Sequence, residues 1–190
     1  MSDSVAKNNI SKRSKLYTLS FTAVMTAVMC VLAPMSIPIG PVPISFTILA
    51  IFLALYLLGW KMGTLSFILY LFIGMIGLPV FSGFSGGLGK LMGPTGGYII
   101  GFLPMALLAG IVIEKVNNRA VHFVAMVLGT AICYAFGTAW FCVVTQTEVA
   151  AALSVCVIPF IPADIIKIVI AVVVGPVLRK LLLNIKSKRN

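Results

Sequence analysis

The chain has 190 residues, 61% hydrophobic and only 9% charged, with a mean hydropathy of +1.14. A soluble domain carries roughly 25% charged and 45–50% apolar residues, and a single core of this size cannot hide so much apolar surface, so a water-soluble globular protein is excluded. The net charge of +10 comes mostly from residues at the chain ends and between apolar blocks, with no basic stripe and no basic-aromatic interleaving, which points to membrane orientation and away from nucleic acid.

Residues 1–15 form a basic segment carrying Lys7, Lys12, Arg13 and Lys15. The apolar run over 16–34 is too long for the apolar stretch of a signal peptide and predicts an uncleaved first helix. Further apolar blocks lie at 44–60, 62–78, 97–114, 120–144 and 158–183. Each approaches the length that crosses a roughly 30 Å hydrocarbon core. The second and third are the shortest, about 17 residues or roughly 26 Å of helix. They are split only by Gly59-Trp60-Lys61-Met62-Gly63, so five spans is the alternative count. The expected architecture is all-α: an integral membrane protein with six transmembrane helices over 16–183 and a basic tail over 184–190.

Orientation follows from the basic residues. An inside N-terminus places Lys7, Lys12, Arg13, Lys15, Lys61, Lys115, Arg119, Arg179, Lys180, Lys186, Lys188 and Arg189 at cytoplasmic ends. That leaves Lys90 outside and Lys167 within the last span. Both termini are then cytoplasmic. The inner connections are short, whereas the outer ones at 34–43, 79–96 and 145–157 are long and rich in proline or glycine. Irregular backbone at membrane depth must be buried in protein or line a cavity. Three such loops on one face predict a ligand-capturing mouth, the alternative being three flexible connectors.

Asp164 and Lys167 are the sharpest polar signal. Their i,i+3 spacing puts both on one helix face near the outer end of the last span. A lone charge there costs about 2.5–3.5 kcal/mol on insertion scales, so each needs a partner or water. They form either a structural ion pair or a pair that exchanges hydrogen bonds with a ligand, and their place beneath the loop-rich face favours the second. The stretch Lys90-Leu91-Met92-Gly93-Pro94-Thr95-Gly96-Gly97-Tyr98 offers Thr95 or Gly96 as cap of the fourth helix, whose free N–H groups beside Lys90 favour an anion. It is not a P-loop.

Cys30, Cys133, Cys142 and Cys156 lack metal-ligand spacing, and His122 is the only histidine. No metal site, no catalytic set and no cofactor is expected, and the chain is not read as an enzyme. Small residues four apart recur at Ala23/Ala27, Gly97/Gly101 and Ala131/Ala135/Ala139. Such spacing lets helix backbones approach closely, within the chain or against a partner.

Together these residues resemble the BioY family, the biotin-specific substrate-binding subunits of energy-coupling-factor (ECF) transporters. The matching strings are Pro41-Val42-Pro43-Ile44-Ser45, Gly77-Leu78-Pro79-Val80-Phe81, Gly93-Pro94-Thr95-Gly96-Gly97-Tyr98-Ile99-Ile100-Gly101-Phe102, and residues 159–167. The resemblance implies a multi-pass protein of a bacterial plasma membrane that captures biotin at its outer face. It implies three partner subunits, one transmembrane coupling subunit and two cytoplasmic ATPases, and assigns Ala23 and Ala27 to docking the coupling subunit. In this reading Asp164 accepts from the ureido N–H groups and Lys167 donates to the ureido carbonyl, the reverse assignment with Lys167 on the carboxylate staying open. Lys90 with the Gly96 and Gly97 amides faces the carboxylate, Phe81 and Tyr98 cover the ring, and Ser45, Thr47, Ser82 and Ser85 complete the site. Family members often carry glutamine at the position of Thr47 and glycines in place of Ser82-Gly83-Phe84-Ser85. The rival functional reading is a stand-alone, proton-coupled vitamin carrier in which Asp164 titrates.

Overall fold

The computed structural model describes residues 2–38 and 42–187. Ile39, Gly40 and Pro41 of the first loop and Lys188 and Arg189 of the tail lie outside the described residues, as do the side chains of Lys7, Lys12, Arg13, Lys15 and Lys186. Among the described residues, helices joined by short loops make up the fold, with one two-stranded ribbon. In order it forms α1 (Ser2–Leu32), β1 (Ser36–Ile37), β2 (Ile44–Ser45), α2 (Thr47–Met75), α3 (Leu88–Met92), α4 (Gly96–Lys115), α5 (Arg119–Thr145), α6 (Val149–Cys156) and α7 (Phe160–Ser187). Helices α2, α4, α5 and α7 are long and apolar enough to cross a membrane, and Leu16–Leu32 of α1 adds a shorter apolar stretch.

Helix α2 holds the second and third expected spans. Gly59 interrupts it at φ 78°, ψ 173°, a backbone region essentially reserved for glycine. The chain doubles back there, so that a Cβ on Gly63 would lie 3.0 Å from the Cα of Leu55. Thr47 and Tyr70, from opposite ends of α2, accordingly line one cavity. The freed Trp60 N–H donates to Oε2 of Glu114 at 3.1 Å, tying the turn to the end of α4. Six crossings result, with the turn at Gly59 where the sequence places it.

Three expected boundaries shift. The second span starts at Thr47 rather than 44, because Ile44–Ser45 pairs antiparallel with Ser36–Ile37. The third ends at Met75 rather than 78. The outer connection over 145–157 is mostly the short helix α6, which buries Ala152 and Cys156.

Polar contacts join the helices where lipid offers no hydrophobic drive between them. Ser66 Oγ donates to the Thr22 carbonyl at 3.1 Å and Thr26 Oγ1 to the Ser66 carbonyl at 3.2 Å, joining α1 to the second half of α2. Helices α4 and α5 form the most extensive contact, made close by glycine on both sides. A Cβ on Gly97 would sit 2.2 Å from Trp140 Cβ, and one on Gly137 2.3 Å from the Tyr98 ring. The Gly97/Gly101 spacing is thus used inside the chain, whereas Ala131, Ala135 and Ala139 lie on an exposed flank of α5.

The two ends of the bundle differ as the charge pattern requires. Lys115, Arg119, Arg179 and Lys180 meet around one cleft at one end. At the other, residues from the loops before α2 and α4 and from the start of α7 surround a separate cavity.

Candidate functional site

Helix α7 buries Phe160, Asp164, Lys167, Ile168 and Ala171, while Ile161, Ile165, Ile166, Val169 and Ile170 are exposed. Intervals of three and four residues put the buried set on one helix face, so Asp164 and Lys167 both turn inward. Asp164 is 3% exposed and Lys167 7%.

Lys167 Nζ donates to Asp164 Oδ1 at 2.8 Å. On the other oxygen, the Tyr134 hydroxyl of α5 donates to Asp164 Oδ2 at 2.5 Å. This satisfies the burial requirement for the carboxylate, with lone pairs still free, and leaves Lys167 two further N–H donors. The cluster can therefore both accept and donate toward a neutral polar group beside it.

Asp164, Lys167 and Tyr134 form one wall of a cavity with about 60 Å³ of free volume. Ser45 and Thr47, whose hydroxyls are 2.8 Å apart, line it too. Aromatic surface closes the rest: Tyr70, Phe81, Tyr98, Phe102 and Phe160. Phe81 is fully buried and meets Tyr70 edge-on at 5.6 Å between ring centroids. It is held by a tight loop in which Phe81 N–H donates to the Ser85 carbonyl at 2.8 Å and Gly83 N–H to the Pro34 carbonyl at 3.2 Å. The Tyr98 hydroxyl donates to the Cys156 carbonyl at 3.2 Å, which turns the ring rather than the hydroxyl toward the cavity. The whole is a mostly apolar enclosure with a few convergent polar groups, the usual character of a small-molecule site.

Of the residues predicted from sequence, the cavity brings together Asp164, Lys167, Tyr98, Phe81, Ser82, Ser45 and Thr47. Lys90, Gly96, Gly97 and Ser85 are not among its lining residues. Gly96 N–H is already spent on the Gly93 carbonyl at 3.0 Å, and a Cβ there would run into the Leu91 carbonyl oxygen. Ser85 Oγ donates to the Ser82 carbonyl at 2.8 Å. Lys90 lies half-buried on α3, where burial lowers its pKa. Thr95 occupies the cap position of α4 but makes no side-chain cap bond, and instead lines the cavity. Ala23 and Ala27 are exposed on α1.

Sequence reasoning missed Tyr134, Tyr70 and Phe160. A tyrosine within a span, with a hydroxyl that needs a partner in an apolar medium, is the signal that could have marked Tyr134.

The profile of the BioY family matches residues 6–184. The chain is 40% identical over 158 residues to the biotin transporter BioY of Thermotoga maritima, covering 83% of this chain and 93% of that protein. It is 33% identical over 165 residues to the biotin transporter BioY2 of Lactococcus lactis, covering 86% and 91%. Among solved structures, the crystal structure of the S-component for biotin from an ECF-type ABC transporter matches with a TM-score of 0.82 and 34% identity. That match covers 88% of this chain and 93% of the other.

Proposed function

The chain belongs to the BioY family, and from that premise we propose that it is the membrane subunit that captures biotin at the loop-rich face and delivers it inward within an ATP-driven ECF transporter. The observation that carries this reading is the buried Tyr134–Asp164–Lys167 cluster set in an aromatic enclosure. Biotin presents ureido N–H donors, a ureido carbonyl and an apolar thioether ring. Asp164 has lone pairs to accept from the N–H groups, and Lys167 has N–H donors for the carbonyl. Phe81 and Tyr98 lie against the ring, with Ser45, Thr47 and Ser82 as nearby polar groups. Tyr134 keeps the Asp164 carboxylate turned toward Lys167 and the ligand. Lys90, on α3 outside the lining residues, is the cation assigned to the ligand carboxylate.

The free volume of about 60 Å³ is well below the roughly 300–1,000 Å³ of ordinary ligand pockets. Ligand entry therefore requires the lining to move, and the Phe81–Ser85 turn, which contributes Phe81 and Ser82 to it, is the element assigned that movement.

The exposed pair Ala23 and Ala27 on α1 lets a partner helix approach closely. It suits docking of a transmembrane coupling subunit, with two cytoplasmic ATPases supplying the energy, in a bacterial plasma membrane. The test is calorimetry of biotin binding to the purified chain, with mass spectrometry of co-purifying small molecules. The reading expects one biotin per chain. Failure to bind added biotin, with no vitamin-like molecule co-purifying, overturns it.

A further inference from the structure

At the end of the bundle opposite the aromatic cavity, α4, α5 and α7 surround a cleft of about 460 Å³. Its lining includes Lys115, Arg119, Arg179 and Lys180, against a single acid, Glu114. That acid is occupied: its Oε2 accepts from the Trp60 N–H at 3.1 Å. Among the described residues the one ion pair is Lys167 with Asp164, so none of the four cations has a carboxylate within ion-pair distance. The polar groups at the floor are satisfied too. His122 Nε2 donates to the Val116 carbonyl, which can only accept, at 2.6 Å, and Nδ1 is hydrogen-bonded to the Tyr56 hydroxyl at 3.0 Å. Arg119 and Arg179, from different helices, line this cleft together with Tyr56.

Four unpaired cations in a concave site call for a multivalent oxyanion. The flank of the cleft identifies its source. Pro176 and Leu183 line the cleft from α7 alongside its two cations, and Leu183 is more than half accessible. A charged cleft that opens onto an apolar flank matches a phosphate group carried on acyl chains. We infer that this cleft binds the headgroup of an anionic phospholipid, with its phosphate between Arg119 and Arg179 and its chains along α7. Binding there fixes the ends of α4, α5 and α7 to one another, independently of the biotin reading.

The test is native mass spectrometry of the purified full chain offered equimolar phosphatidylglycerol and phosphatidylcholine with identical acyl chains. Preferential retention of phosphatidylglycerol is expected. Each basic residue near a lipid headgroup is worth about fivefold in affinity, so Arg119→Gln with Arg179→Gln should cut the preference about 30-fold. Lys61→Gln removes a charge that sits over the Trp60 ring instead of in the cleft, and should leave the preference intact. Should the arginine pair fail to fold, Lys115→Gln with Lys180→Gln tests the same cleft and expects the same loss. Biotin affinity should not change in any of these variants. Equal retention of the two lipids, or a preference that survives both double variants, overturns the proposal. So does displacement of the lipid by millimolar inorganic phosphate, or by a polyglutamate peptide standing for an acidic protein partner.

Discussion

Replacing Asp164 and Lys167, singly and together, separates a ligand-binding pair from a purely structural one. The pair is buried, 2.8 Å apart, and further tied to Tyr134 at 2.5 Å. Asp164→Asn keeps the shape and one acceptor for Lys167, and its amide can donate to the Tyr134 oxygen. What it loses is the negative charge that balances the ammonium. Lys167→Met keeps the stem and leaves the carboxylate with Tyr134 alone. Breaking a buried pair from one side costs about 3–5 kcal/mol, because a charge is stranded. Both single variants should therefore be less stable, and the double variant should recover much of that loss. Affinity behaves differently if the pair holds biotin. A lost hydrogen bond to a charged group costs about 1.5–3 kcal/mol, so each single variant should bind about 10- to 150-fold more weakly. The double variant should bind no better than either single one, whatever its stability. Calorimetry with biotin and thermal denaturation in detergent give the two readouts on the same samples. A double variant that regains stability and binds biotin with wild-type affinity refutes the assignment.

Other expectations follow from particular contacts. Gly59→Ala forces a side chain onto a φ of 78° with its Cβ 2.7 Å from Glu114 Oε2, and should cost about 1–3 kcal/mol; an unchanged melting temperature would show that the turn at Gly59 is not held as described. Replacing Ala23 and Ala27 together by Trp adds bulk on an exposed face of α1, so biotin binding should persist while assembly with the coupling subunit and transport fail. Lost binding with intact assembly would assign the pair to the site or to packing instead. Single cysteines at positions 90 and 119, in a cysteine-free background, should label from opposite sides of the membrane, with 90 accessible to an impermeant reagent on whole cells; labelling of 119 alone from outside would invert the topology.

The amino-acid sequence by itself determined the apolar blocks and marked 59–63 as the break between the second and third, while the reversal at Gly59 that makes them two crossings came from the fold. Hydrocarbon thickness and the cost of buried charge act on composition along the chain, before any helix meets another. It also determined that Asp164 and Lys167 share a face, because residues three apart on one helix are neighbours whatever surrounds it. Only the tertiary structure decided who meets that pair. Tyr134 is 30 positions away on α5, and its approach depends on the rotation and depth at which Gly97, Gly101 and Gly137 let α4 and α5 close on each other. The same packing decided against Gly96 as a free anion-binding amide: α4 begins so close to Leu91 and Gly93 that its N–H is already bonded. Local spacing specifies contacts within a helix turn, whereas contacts between helices depend on how whole surfaces fit. No short stretch of sequence encodes that fit.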